Sequence, residues 1–199
     1  MKNDTAGSPG VMSEDTLHRR MTKKSICVKP METDAEILGR ARVHYYAWQE
    51  AYTGLIRQSY LDRRTPEESE KRAFAHPENT FVALDGERVV GFVVYGADRE
   101  GASDTGEIYA LYVLREYYGT GVGARLMDAA LTALPPCQTV RLWVLKDNAR
   151  ARRFYEKCGF RADGTEMYSE ALDAAEIRMT RPAGKRMTAA DIISRRRGG

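Results

Sequence analysis

The chain has 199 residues, 43% of them hydrophobic, and a formal net charge of +3. This length suits one packed core and is short for two full domains, so we expect a single domain. The longest apolar run, near residues 89–95, is far shorter than the roughly 20 residues that span a bilayer. The N-terminal residues lack the apolar block of a signal peptide. We therefore predict a cytoplasmic protein with no membrane segment.

Three cysteines, Cys27, Cys137 and Cys158, are too few and too widely spaced for a disulfide framework. None lies in a CxxC pair or in a Cys/His cluster of the kind that holds zinc, so we expect no metal site. Free thiols agree with a reducing compartment such as the cytoplasm.

The positive charge is confined to the two ends of the chain. Residues 1–24 carry a net charge of +2 and residues 182–199 one of +4, which leaves −3 for residues 25–181. Both ends are rich in small, polar or charged residues that bury little surface. We predict a disordered N-terminal extension over 1–24, one folded domain over 25–181 and a flexible basic tail over 182–199. Solvated tails are favoured over attachment to an acidic partner, and no nucleic-acid binding is expected.

The first half of the domain has two helix starts marked by capping boxes. A short strand candidate, SICVKP, ends at Pro30, and the box TDAE follows at 33–36. Apolar residues then recur every three or four positions as far as Tyr52, which predicts an amphipathic helix. The second box, TPEE at 65–68, has proline at the first helical position and opens a helix toward His76.

A β-hairpin and a third strand are predicted next. Two β-rich runs within residues 79–96 surround an Asp-Gly turn, which is typical of an antiparallel hairpin. In the following strand, 106–114, strict alternation places four side chains on one face: Glu107, Tyr109, Leu111 and Val113.

The remaining elements alternate between helix and strand. A helix is predicted over 122–134, then a strand over 139–145 whose apolar composition suits burial on both faces. A second helix over 147–159 begins with the capping pair Asp-Asn and ends at glycine, and a last strand near 176–180 closes the domain. This order predicts a mixed α/β sheet of about six strands.

The turn before residue 122 has glycine at three alternating positions, Gly119, Gly121 and Gly123, within EYYGTGVGARLM. A helix leaves its first amides unpaired and carries partial positive charge at that end, so a glycine-lined entrance can hold a phosphate. Three glycines in five residues exceed what a tight turn needs. The pattern therefore favours an anion-binding site over a plain connection.

Two other phosphate-binding loops fit this turn poorly. The turn lacks the Gly-Lys-Ser/Thr ending of a Walker loop. Gly119, Gly121 and Ala124 match the dinucleotide pattern G-x-G-x-x-G/A, and Asp147 follows the next strand where a ribose-binding acid could lie. However, a dinucleotide-binding turn leaves its strand almost at once and begins the sheet, whereas this one follows most of the strands. An NAD(P)-binding protein stays an alternative.

Two segments together resemble the motifs of the GNAT family of acetyl-CoA-dependent N-acetyltransferases: LYVLREYYGTGVGARLM and, about thirty residues later, LWVLKDNARARRFYEKCGF. In that family the first motif runs strand, Gln/Arg-x-x-Gly-x-Gly/Ala, helix, and the second runs strand, Asn, and Phe-Tyr ahead of Gly-Phe. The resemblance implies a GNAT-like mixed, mostly antiparallel sheet of about six to seven strands flanked by helices. The sequence departs from the pattern at Tyr118, which occupies the Gln/Arg position.

The resemblance also implies acetyl-CoA as the acetyl donor and a set of residues that hold it. The pantetheine arm would pair with the backbone of Leu111, Tyr112 and Val113. Asn148 would donate a hydrogen bond to that arm or to the acetyl end. The pyrophosphate would lie on the amides of six consecutive residues: Gly119, Thr120, Gly121, Val122, Gly123 and Ala124.

Acyl transfer to an amine needs a base more than it needs an acid. An alkylamine with a pKa near 10.4 is neutral in only roughly one molecule in 2,000 at pH 7, a deficit of about 4.6 kcal/mol. Protonation of a thiolate of pKa about 8.5 gains only about 2 kcal/mol at that pH. The resemblance makes Glu107 the first candidate for the base, with a surface glutamate as the alternative. It makes Tyr155, near the thioester sulfur, the acid, with a core aromatic residue as the alternative.

The segment HYYAWQEAYTGL at 44–55 lies where the resembling family places the wall of its acceptor site. Tyr45, Trp48 and Tyr52 could line a slot for an amine through cation–π contacts, although their spacing is more typical of a packed helix face. Trp143 stands five residues before Asn148, where relatives that modify ribosomal-protein N-termini have glutamate. This difference favours a small amine or polyamine as the acceptor.

We therefore predict an N-acetyltransferase that moves the acetyl group by direct transfer in a ternary complex. A homodimer is compatible with these features. The alternatives are acetylation of a protein N-terminus or lysine, and a non-catalytic acyl-CoA-binding module.

Overall fold

A computed structural model describes residues 26–184, in which seven strands form one sheet. The strands are β1 Cys27–Pro30, β2 Thr80–Asp85, β3 Arg88–Ala97, β4 Thr105–Val113, β5 Thr139–Leu145, β6 Arg161–Ser169 and β7 Ala174–Pro182. Their order in the sheet is β1-β2-β3-β4-β5-β7-β6. All neighbours are antiparallel except β4 and β5. The predicted mixed, mostly antiparallel sheet is thus confirmed.

Helices cover both faces of this sheet. Within the described residues they are α1 Asp34–Tyr52, α2 Gln58–Asp62, α3 Pro66–Ala75, α4 Val122–Ala133 and α5 Ala149–Lys157, with a 3-10 turn at Arg115–Tyr117. The starts predicted from the capping boxes are confirmed. The Thr33 hydroxyl accepts from the Glu36 amide and the Glu36 carboxylate accepts from the Thr33 amide, both at 3.3 Å. Thr65 accepts from the Glu68 amide at 3.2 Å.

The main core lies between the sheet and α4. Val93, Leu126 and Met179 are among its fully buried members, and so is Phe160, just after α5. A second cluster packs α1 against the opposite face. The alternation of β2 and β3 supplies side chains to both clusters, which fixes the sheet between the two helical layers.

The sheet opens into a wedge between β4 and β5. These two strands pair at only three positions, Thr105 to Glu107 with Thr139 to Arg141. A register shift between Val94 and Tyr95 of β3 leaves Tyr109 as an extra residue in β4. Such a bulge bends its strand. Farther along, the described part of β4 pairs with β3 alone, so one edge of its backbone borders the wedge.

The same bulge makes one prediction wrong. Strict alternation placed Glu107, Tyr109, Leu111 and Val113 on a single face. In the structure Leu111 and Val113 pack in the main core, whereas Glu107 and Tyr109 border a cavity on the α1 side. The extra residue reverses the phase of the alternation within β4.

The predicted extension over 1–24 and most of the predicted tail over 182–199 lie outside the described residues. Pro182 belongs to β7, which is longer than the strand predicted at 176–180. The sequence did not predict α2 or β6. No helix within residues 26–184 is both long enough and apolar enough to cross a membrane.

Candidate active site

A cavity of about 520 Å³, here called the donor cavity, occupies the wedge between β4 and β5. Its walls also include the glycine turn and α5. Three of the predicted site residues do not line it: Glu107, Thr120 and Val122. The other predicted site residues all do: Leu111, Tyr112, Val113, Gly119, Gly121, Gly123, Ala124, Asn148 and Tyr155. The structure therefore brings most of the predicted set together.

Backbone conformation explains two of the three glycines. Gly119 and Gly121 have φ angles of +76° and +90°, a region that side chains with Cβ rarely adopt. A Cβ added to either residue would meet no atom within 4 Å, so crowding is not the reason for glycine there. At Gly123 a Cβ would lie 3.3 Å from the Phe154 ring, so close packing favours glycine at that position.

The glycine turn presents unpaired amides to the donor cavity. The first hydrogen bond of α4 runs from the Arg125 amide to the Gly121 carbonyl at 3.1 Å. The amides from Gly121 to Ala124 precede it and have no helical acceptor, at the positive end of the helix. Thr120 differs, because its amide donates to the Tyr117 carbonyl at 3.3 Å. Thr120 shapes the turn, and this geometry does not support its predicted contact with phosphate.

Cationic side chains that the sequence did not predict border the same cavity. Arg150, Arg153 and Lys157 on α5 line the donor cavity. The Arg150 guanidinium lies 3.9 Å from the centre of the Tyr118 ring. Where the family pattern has Gln or Arg, this chain therefore has an aromatic ring with an arginine from another helix stacked on it.

Asn148 caps α5 and also borders the donor cavity. Its Oδ1 accepts from the Ala151 amide at 3.0 Å. Its Nδ2 donates no hydrogen bond to any residue in the range 26–184. The side chain can thus cap the helix and donate to a ligand, which are the two roles considered from the sequence.

Tyr155 is buried on α5 with its ring against Phe154 and Phe160, at centroid distances of 5.3 and 6.1 Å. Its hydroxyl forms no hydrogen bond with the described part of the chain. Burial raises the pKa of this phenol well above its usual range. Tyr155 is therefore protonated at neutral pH and can donate a hydrogen bond or a proton inside the cavity.

A second cavity of about 430 Å³, here called the acceptor cavity, adjoins the first. Both cavities are lined by the same six residues: Tyr52, Tyr109, Tyr112, Trp143, Leu145 and Glu176. Two turns meet at its rim, where the Arg57 amide donates to the Leu172 carbonyl at 2.8 Å. An ion pair of 3.5 Å between Arg57 and Asp173 adds to this contact.

Glu107 lies in the acceptor cavity and is 1% exposed, so the alternative of a surface glutamate is wrong. Its carboxylate accepts from the Arg99 amide and the Arg99 Nε, each at 3.0 Å. The Arg141 Nη2 lies 3.6 Å from the same carboxylate. Two guanidinium groups thus compensate its charge.

The α1 residues proposed for the acceptor wall have different environments. Tyr52 lines both cavities, and Trp48 lines the acceptor cavity with the Arg64 guanidinium 3.9 Å from its ring centre. Tyr45 lines neither cavity. His44 packs among three aromatic rings, and burial lowers its pKa to about 3. His44 is therefore a packed side chain that is neutral at pH 7.

Comparison with known proteins decides the family. The model described as "Acetyltransferase (GNAT) family" matches residues 44–160. The chain belongs to the GNAT family. A Mycobacterium tuberculosis protein named "Probable N-acetyltransferase Rv2775" is 32% identical over 143 residues, which are 69% of this chain and 81% of that protein. N-alpha-acetyltransferase 30 of Schizosaccharomyces pombe is 37% identical over 94 residues, 45% of this chain and 63% of that protein.

Solved GNAT structures have the same fold. Ard1 from Thermoplasma volcanium is 25% identical with a TM-score of 0.58, over 80% of this chain and 98% of that one. The PaiA N-acetyltransferase from Thermoplasma acidophilum, in complex with coenzyme A, is 19% identical with a TM-score of 0.58, over 79% and 98%. As a member of this family, the protein is an N-acetyltransferase with acetyl-CoA as co-substrate. The predicted family and donor are confirmed, and the NAD(P) alternative is set aside.

Proposed function

We propose that this GNAT enzyme transfers the acetyl group from acetyl-CoA directly to a primary amine in a ternary complex. The observation that carries the proposal is the wall of six residues common to the donor and acceptor cavities. Two substrates in adjoining cavities would have their reactive ends at this wall, which favours reaction by proximity. Transfer then requires no acetylated enzyme.

The residues around the donor cavity fit acetyl-CoA. The unpaired amides of the glycine turn and the cations of α5 would hold the pyrophosphate. The edge of β4 from Leu111 to Val113 borders the wedge, where its backbone would pair with the amides of the pantetheine arm. The free Nδ2 of Asn148 would donate to that arm.

The proposed reaction forms one bond and breaks another. The neutral amine nitrogen attacks the thioester carbonyl carbon, the C–N bond forms and the C–S bond breaks. Tyr155 gives its hydroxyl proton to the leaving sulfur and recovers a proton from solvent, in keeping with its protonated, unpaired hydroxyl. The nitrogen loses one proton before the attack and one after it, and the sulfur gains one. Ammonium and thioester thus give amide, thiol and one proton. The role of Glu107 as base stays a prediction, and its ion pairs favour a positioning role.

A small amine or polyamine is the proposed acceptor. The acceptor cavity has the volume of a small-molecule site and is covered on one side by the contact between Arg57 and Leu172. The aromatic rings of Tyr52 and Tyr112 would contact a cationic group before it loses its proton.

The α-amine of a protein N-terminus is the second candidate. It is favoured by the 37% identity with N-alpha-acetyltransferase 30 of Schizosaccharomyces pombe. Such an acceptor would insert only its first residues into the acceptor cavity.

Thiol release from acetyl-CoA tests both candidates with the purified full-length chain. The acceptors are tyramine, spermidine, glycinamide, a lysine-free peptide with a free α-amine, and an N-terminally blocked peptide that contains lysine. We expect faster turnover with the small amines than with the peptides, and intersecting initial-rate lines. Preference for the free α-amine would support the second candidate, and parallel lines would contradict direct transfer. Absence of both turnover and coenzyme A binding would contradict the whole proposal.

A further inference from the structure

Glu176 occupies the junction of the donor and acceptor cavities. It lies on β7 opposite Leu145 of β5, and both residues belong to the wall common to the two cavities. Ile177 and Met179, on the opposite face of the same strand, are buried in the main core. The side chain of Glu176 is half-buried and lines both cavities. A carboxylate is thus placed where an acceptor amine would meet the thioester.

The other carboxylates of the acceptor cavity are already paired. Glu107 is bonded to Arg99 and faces Arg141. Glu100 accepts from the Arg141 Nη1 at 2.7 Å, and the Arg178 Nη1 lies 3.5 Å from the same oxygen. A carboxylate beside a guanidinium is a weaker proton acceptor, because the positive charge favours its ionised form.

The tyrosines of the acceptor cavity are paired as well. The hydroxyl groups of Tyr52 and Tyr112 bond to each other at 3.0 Å, and the Tyr109 hydroxyl donates to the Ala97 carbonyl. The Glu176 carboxylate, by contrast, has neither a hydrogen bond nor an ion pair with the chain between residues 26 and 184. It is the ionisable side chain of this cavity that is free to interact with a substrate.

Burial gives Glu176 the chemical character of a base. It raises the pKa of the carboxyl above its usual value, and the nearby charge of Arg99 opposes this effect. A carboxylate with a raised pKa accepts a proton more readily than one held by guanidinium groups.

We infer that Glu176 is the general base that takes the proton from the acceptor ammonium. This inference rests on the proposed function. The ammonium proton passes to a Glu176 oxygen and from there to solvent through the acceptor cavity. The neutral nitrogen then forms the C–N bond as the C–S bond breaks. The nitrogen loses its second proton to solvent by the same route, and the leaving sulfur takes a proton from Tyr155. Glu107, held by Arg99 and Arg141, positions the cavity wall.

The test compares Glu176→Gln with the wild-type enzyme by kcat/KM for tyramine between pH 6 and pH 10. We expect a loss of about 10²- to 10⁴-fold at pH 7, the usual contribution of a general base. The loss should shrink as the pH rises, because the neutral fraction of the amine increases about tenfold per pH unit below its pKa. The dissociation constant of coenzyme A should not change. Glu176→Asp, which keeps a carboxylate, should recover part of the rate.

Glu107→Gln is the matched control, and its loss of rate should be the same at every pH. Activity of Glu176→Gln within about threefold of the wild type at pH 7 would overturn the inference, since general bases contribute far more. A loss that does not depend on pH would also overturn it. If Glu107→Gln regains activity at high pH and Glu176→Gln does not, Glu107 is the base and the inference is wrong. Lack of turnover by the wild-type enzyme would count against the proposed function itself, so the two failures are distinguishable.

If Glu176→Gln fails to fold, as judged by thermal unfolding, Glu176→Asp carries the test alone. A rate that is reduced at pH 7 and recovers at high pH would then support the inference, and a reduction that does not depend on pH would overturn it.

Discussion

The hydroxyl groups of Tyr52 on α1 and Tyr112 on β4 lie 3.0 Å apart in the wall common to the donor and acceptor cavities. Burial raises the pKa of both phenols, so both are protonated at neutral pH and one donates to the other. The bond joins the helix of the acceptor side to the bulged strand of the donor side. It thus fixes the distance between the two binding sites.

Replacement of Tyr52 by Phe should lower the free energy of unfolding by about 1–3 kcal/mol, because it leaves the buried Tyr112 hydroxyl without a partner. The double variant Tyr52→Phe/Tyr112→Phe should cost less than the sum of the single variants, with a coupling of at least about 0.5 kcal/mol. Urea denaturation of the four proteins measures this cycle. Additive costs would show that the two hydroxyl groups do not interact.

Gly121→Ala should weaken coenzyme A binding by about tenfold or more, equivalent to ~1.4 kcal/mol. At the φ of +90° a Cβ is strained, and relief of that strain would turn the amides of the turn away from the phosphates. Gly164→Ala is the matched control, since Gly164 has a φ of +92°, equally open surroundings and no part in either cavity. Calorimetric titration should show weaker binding in the first variant only, although both lose stability. Equal affinities of the two variants for coenzyme A would show that Gly121 does not contribute to its binding.

Tyr155→Phe should reduce kcat by about 10²-fold while the affinity for coenzyme A changes by less than about twofold, because only a proton donor is lost. Stability should change little, since the hydroxyl has no partner in the described structure. Tyr95→Phe is the control. That ring stacks on Phe81 and borders neither cavity. Steady-state kinetics of both variants test the prediction, and an unchanged kcat in Tyr155→Phe would show that another group protonates the sulfur.

His44 should make the protein less stable in acid. Its pKa is about 3 in the folded state, below the 6.5 of a histidine in an unfolded chain. The unfolded chain therefore binds the extra proton between these values, and stability falls as the pH drops below 6.5, by up to about 1.4 kcal/mol per pH unit. His44→Gln should show a smaller fall between pH 7 and pH 5 in urea denaturation. The same fall in His44→Gln as in the wild type would contradict this prediction.

Local signals made much of the fold predictable from the sequence. The capping box at Thr33 and Glu36 involves residues three apart, so its hydrogen bonds follow from the sequence alone. The strand β6 was missed because nearly all its side chains are exposed, and no alternation marks it. It forms because β7 offers it an edge with which to pair.

The candidate site likewise has some residues that local motifs predict and others that only the tertiary fold brings together. The glycine turn, Asn148 and Tyr155 belong to contiguous motifs and were predicted. The contact of Arg150 with Tyr118 joins residues distant in the sequence, and so does the ion pair of Glu107 with Arg141 on the neighbouring strand. Only the tertiary fold brings such pairs together. The bulge at Tyr109 is equally hidden, because it arises from the pairing of β4 with β3.

The short pairing of β4 with β5 makes the shape of the wedge sensitive to substitutions at its closed end. Gly106 lies at the closed end of the wedge, where an added Cβ would be 3.0 Å from Leu134 and 3.3 Å from Cys137. A larger side chain there would push the strand away from the helix beneath it and alter the angle at which the two strands separate. Gly106 thus influences the width of the wedge in which the pantetheine arm would lie, although it lines neither cavity.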